Sequence, residues 1–177
     1  MRQLLIAVLV CLPGLASAQM MHGHGSGGHD MVNMPGLRGV DTTNRESGEM
    51  MVMFHHFTEI DRTVENLPNG IRTVTNNHNP MVMAALVSHV TGMITRVEEG
   101  RDPQVIIQSP TLTPIFAGHD RIETQIDMTD AGIVVVQTSD DPEMVALLQK
   151  HAAEVTDMAD RGMQAVHERM EAEGQRH

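Results

Sequence analysis

The chain has 177 residues, with 12 Lys+Arg against 23 Asp+Glu, and a net charge of −11 argues against binding the phosphate backbone of nucleic acid. With no Trp, no Tyr and three Phe it also lacks platforms for base stacking. The abundant reactive side chains are 16 Met and 11 His, which supply thioether and imidazole donors.

In chain order, residues 1–18 predict a secretory signal: Arg2 gives the positive start, residues 4–12 the apolar run, and Ala16-Ser17-Ala18 the small-residue cleavage site. The mature chain then begins at Gln19, and the loss of Arg2 takes its charge to about −12. The single cysteine, Cys11, lies inside the signal. A mature protein without thiols makes no disulfide, Cys zinc site, Fe–S cluster or cysteine nucleophile, so a metal would have to use His, Met, carboxylate or backbone. No later run approaches the roughly 18 consecutive apolar residues of a membrane helix. The expectation is a soluble protein, periplasmic or secreted.

Residues 19–49 read as a His/Met-rich tail followed by a polar linker. Gly23, Gly25 and Gly28 match a dinucleotide fingerprint by spacing alone; with no strand before and no helix after, the match has no mechanism. Residues 49–57 predict a short helix, residues 60–67 a weakly alternating strand, Pro68-Asn69-Gly70 a turn, and residues 71–75 a second, β-branched strand. Asn79 is a helix cap and Pro80 suits the first helical position. Val82, Leu86, His89 or Val90, Met93 and Val97 then trace an apolar stripe that ends at Gly100. Residues 101–119 hold three prolines and read as a connection with one helical turn near residues 112–116.

The strand, strand, helix unit then recurs. Gly70/Gly132, Ile71/Ile133, Val74/Val136, Pro80/Pro142, Leu86/Leu148, His89/His151 and Gly100/Gly162 all lie 62 positions apart. Repeats of about residues 57–100 and 119–162, within a domain of residues 50–173, predict a pseudo-dimer. The expected class is α+β: a four-stranded antiparallel sheet with both helices on one face, as in a permuted ferredoxin-like sandwich. Residues 163–172 are expected to extend the last helix and fray.

No Gly-x-Ser-x-Gly elbow, His-Glu-x-x-His pair, phosphate-binding loop or protein-kinase set is present, so no catalytic residue is nominated and a non-enzymatic protein is expected. The tail carries Met20, Met21, His22, His24, His29, Met31 and Met34, seven thioether or imidazole donors in 15 positions. On those residues it resembles the Met- and His-rich segments of periplasmic copper-handling proteins, a likeness confined to residues 20–34 and without fixed spacing. The resemblance implies copper capture, buffering or transfer with these seven as ligands. The core, through Leu67-Pro68-Asn69-Gly70, His89, Thr138-Ser139-Asp140-Asp141-Pro142 and His151, resembles a type of small exported bacterial protein, which implies no particular activity.

Two further groups of metal-ligand candidates lie in the domain. His55 and His56, beside Met50, Met51 and Met53, would extend a His/Met site if that run is helical. His89 and His151 occupy equivalent places on the two apolar stripes. A histidine there is ordinarily a core residue with a ring nitrogen satisfied by a carbonyl or hydroxyl, but duplication about a pseudo-twofold would bring both rings towards one axis, where they would hold a metal or ligate haem iron. The leading expectation is a periplasmic copper-binding protein. Its rival is a structural or interaction domain that docks a periplasmic redox or copper-transfer partner, and haem or metal on the paired histidines comes third.

Overall fold

The computed structural model describes residues 35–174. Four strands, β1 (Asp61–Leu67), β2 (Gly70–Asn76), β3 (Glu123–Thr129) and β4 (Gly132–Thr138), form one antiparallel sheet in the order β1-β2-β4-β3. Five α-helices accompany it: α1 (Asn44–His55), α2 (Pro80–Glu98), α3 (Leu112–Ala117), α4 (Pro142–Arg161) and α5 (Met163–Gly174). The expected α+β class and the four-stranded sheet are what the chain adopts.

The repeat is visible in bonds as well as in sequence. Asn79 Oδ1 accepts from the Met81 amide at 3.0 Å and Asp141 Oδ1 from the Glu143 amide at 2.9 Å, so each long helix opens on a side-chain cap followed by proline. The cap residues are themselves held by Asn77 and Ser139, again 62 apart: Asn79 N donates to Asn77 Oδ1 and Asp141 N to Ser139 Oγ. Gly100 (φ +64) and Gly162 (φ +58) end the helices in left-handed backbone.

The two hairpins join through β2 and β4, with Gly70 opposite Thr138 and Thr75 opposite Ile133. In that register Thr73 faces Val135, which is its own counterpart in the second repeat. The pseudo-twofold therefore passes between these two residues. Thr73 and Val135 are buried on the sheet face shared with Ile71, Thr75 and Ile133, which is the face the long helices cover.

The cover is unequal. From α4, Met144 and Leu148 have no exposed surface and pack with Ile71, and its backbone lies against β1 and β2. Burial of each such side chain contributes about 2–3 kcal/mol. α2 reaches the sheet mainly with side chains, Leu86 and Ile94 clustering with Ile133 and Val135, while its backbone lies closer to α1. It is the one helix among the described residues long and apolar enough by composition to cross a membrane, although it contains no run of 18 consecutive apolar residues; here its apolar stripe faces the core.

Two expectations change. Part of the expected linker is helix: α1 begins at Asn44 with a capping box, in which the Thr43 amide donates to Glu46 Oε2 at 2.7 Å and the Glu46 amide to Thr43 Oγ1 at 3.2 Å. The helix is tied to α2 by Arg96, 4% exposed, which donates to Glu46 Oε1 and Asp41 Oδ1, both at 2.7 Å. Nor is the C-terminal piece a frayed extension: α5 starts afresh after Gly162, and its Val166 is fully buried among Leu37, Val105 and Ile107.

Candidate functional site

Because α2 stands off the sheet, a cavity of about 300 Å³ remains between the sheet and the helices, partly open to solvent. Its lining follows the repeat. Leu86 and Leu148, His89 and His151, Val90 and Ala152, Met93 and Val155, and Val97 and Ala159 all contribute, each pair 62 apart. The floor is Ile71, Thr73 and Thr75 with their counterparts Ile133, Val135 and Gln137, so the pseudo-twofold runs through the cavity. α1 contributes Met50, Met53 and Phe54 at the side.

His89 and His151 reach this space from opposite helices. Each lies on the inward stripe of its helix, three residues beyond the fully inward Leu86 or Leu148. Both histidines are half-buried and line the cavity, and His89 also borders a second, smaller pocket beside Glu49 and Ser88. No hydrogen bond of either imidazole occurs among the described residues, and Nδ1 of His151 is buried without a partner. The satisfied core histidine expected from sequence is thus not what the structure contains.

Enclosure sets the charge of both rings. Desolvation pushes the His89 pKa down against the opposing influence of Glu49 and Glu46. It pushes His151 down to about 4, with Glu154 opposing and Arg62 and Arg169 adding to the effect. Both imidazoles are neutral at pH 7, the state in which a ring nitrogen can ligate a metal.

Arg62 of β1 also lines the cavity, close enough to act on His151. Its Nη1 donates to Thr75 Oγ1 at 2.9 Å, whereas its Nε is buried with no partner among the described residues. Sequence reading missed this residue, because a single Arg in an edge strand looks like ordinary surface charge.

The other candidates do not converge here. The seven tail donors, Met20 to Met34, lie outside the described residues. His55 is exposed and His56 sits 3.1 Å from Glu59 Oε1; neither lines the cavity, although Met50 and Met53 from the same helix do. Met51 packs instead with the Leu37 and Val166 cluster. The expected extension of a His/Met site through His55 and His56 is not assembled, because the helix points its methionines inward and leaves these two histidines at its outer end.

Among the described residues no three His, Cys, Asp or Glu side chains gather to hold a bare ion. Two imidazoles are too few for a closed tetrahedral site, but they are the number of axial positions on an iron whose other four ligands come from a macrocycle. A volume of about 300 Å³ lies at the lower end of small-molecule pockets and far exceeds what one ion fills; a whole porphyrin would extend beyond it through the side open to solvent. Comparison with protein-family models, with curated proteins and with solved structures finds no match to this chain.

Proposed function

We propose that the folded domain binds an iron porphyrin in the cavity on its pseudo-twofold, with His89 and His151 as the residues that would hold the iron. The observation that carries this reading is the pair itself: two neutral imidazoles without hydrogen bonds among the described residues, equivalent in the repeats, on one largely apolar cavity. If both imidazoles held the iron they would leave no open position for a substrate, which would favour electron transfer or haem carriage over reaction at the iron. In an exported protein the partner would be a periplasmic redox protein or a haem donor or acceptor.

A second reading, copper binding by the tail, rests on the density of Met and His at Met20, Met21, His22, His24, His29, Met31 and Met34. The two are compatible, since they use different parts of the chain. The full-length protein purified from periplasm separates them by metal analysis with an absorption spectrum. Stoichiometric iron with a porphyrin spectrum supports the first reading. Copper without porphyrin, lost on deletion of residues 19–34, supports the second and counts against the first.

A further inference from the structure

The cavity is apolar around a cation. Arg62 Nε is buried without a partner, its only hydrogen bond among the described residues goes to Thr75, and no carboxylate there forms an ion pair with it. Burial lowers its pKa only to about 10, so the guanidinium stays charged at pH 7. Arg62 is half-buried, and a guanidinium nitrogen shut off from water is normally paired, because leaving it without an acceptor weakens the fold. Arg62 also breaks the repeat: its counterpart is Thr124, which does not line the cavity.

We propose that Arg62 is the counter-charge for an acidic group on the molecule that occupies this cavity, so that the ligand is an apolar body bearing a carboxylate. The fork of Nε and a terminal nitrogen is the geometry that binds a carboxylate through two parallel hydrogen bonds. With the cation in one repeat only, a ligand that could enter a twofold-symmetric pocket in two ways takes one, its acid at β1 and towards His151. The apolar body of this ligand is the porphyrin of the reading above; the acid is argued from Arg62 alone.

The test compares the full chain with R62Q, using iron protoporphyrin, metal-free protoporphyrin and the dimethyl ester of each. The wild type should favour each acid over its ester by tenfold or more. R62Q should bind acid and ester within about twofold of one another while keeping the wild-type affinity for the esters, which shows that its pocket is intact. The metal-free pair owes nothing to the histidines and must show the same loss. An acid preference that survives in R62Q, or none in the wild type, overturns the proposal. If no porphyrin binds, the porphyrin reading fails and a fluorescent polyene fatty acid and its methyl ester take their place. An acid preference that disappears in R62Q then sustains the role of Arg62, and its absence from the wild type overturns it.

Discussion

Thr73 on β2 lies opposite Val135 on β4, and Val135 is the residue that repeats Thr73 after 62 positions. A residue paired with its own counterpart marks the twofold of a duplicated sheet. Here the pair points at the helices and forms part of the cavity floor. Relations across the axis follow: a Cβ on Gly100 would come within 2.9 Å of the His119 ring, and a Cβ on Gly162 within 2.9 Å of the Phe57 ring, His119 being the counterpart of Phe57. Each repeat closes its long helix against the start of the other's hairpin.

The axis pair offers a way to fill the site without touching a histidine. Thr73→Phe or Val135→Phe would put an aromatic ring into existing space, so the ligand-free fold should change by less than about 1.5 kcal/mol rather than show the usual overpacking penalty. Ligand affinity should fall at least tenfold. Denaturant midpoints and ligand titrations on the same samples check this, and a large loss of stability would mean that the cavity collapses in solution.

Stability of the ligand-free protein should fall in two separate acid windows. His151 has a folded pKa near 4, below its ordinary 6.5, so the unfolded chain binds the extra proton; its contribution is complete above about pH 6.5 and is lost as pH falls towards 4. The shift corresponds to something on the order of 3 kcal/mol, and His89, shifted the same way, adds to it. Glu46 is held down to about 2, chiefly by its hydrogen bond from Arg96, so its contribution is lost only as pH falls from 4.5 towards 2. In urea titrations His151→Gln should flatten the first window and Glu46→Gln the second. An unchanged slope between pH 6.5 and 4 in His151→Gln would contradict the buried, neutral imidazole.

Gly162 joins α4 to α5 at φ +58, ψ −136, a backbone region hostile to side chains, and a Cβ there also meets Phe57. Gly162→Ala should cost about 2–3 kcal/mol. Gly92, inside α2 with open space around its Cβ position, provides the contrast: Gly92→Ala should stabilise by up to about 1 kcal/mol through helix propensity. Thermal or chemical unfolding of the two variants reads both signs.

Much of the fold is legible in the chain because duplication prints each signal twice. Asn79-Pro80 and Asp141-Pro142 announce the helix starts, Gly100 and Gly162 the ends, and the β-branched runs after Gly70 and Gly132 the central strands. The inward placement of His89 and His151 also follows from helical spacing. Their lack of hydrogen-bond partners among the described residues does not, since helical spacing does not say which polar groups a ring will meet. α2 packs against α1, and its Arg96 pairs with Glu46 of that helix and with Asp41 before it. The start of α1 was readable in Thr43-Asn44-Arg45-Glu46, a capping box overlooked beside the methionine run. Arg62 shares the inward face with Ile60 and Val64 by strand alternation, but that spacing does not say that its Nε finds no acceptor there.

The central claim, that His89 and His151 ligate one iron from opposite sides, is tested most directly by electron paramagnetic resonance of the full chain loaded with ferric protoporphyrin at one equivalent, beside His89→Ala and His151→Ala. The account predicts a low-spin, six-coordinate ferric signal in the wild type that becomes high-spin in each single variant, since either loss opens one axial position. A wild-type signal that is high-spin from the start, or one that stays low-spin in both variants, would contradict it.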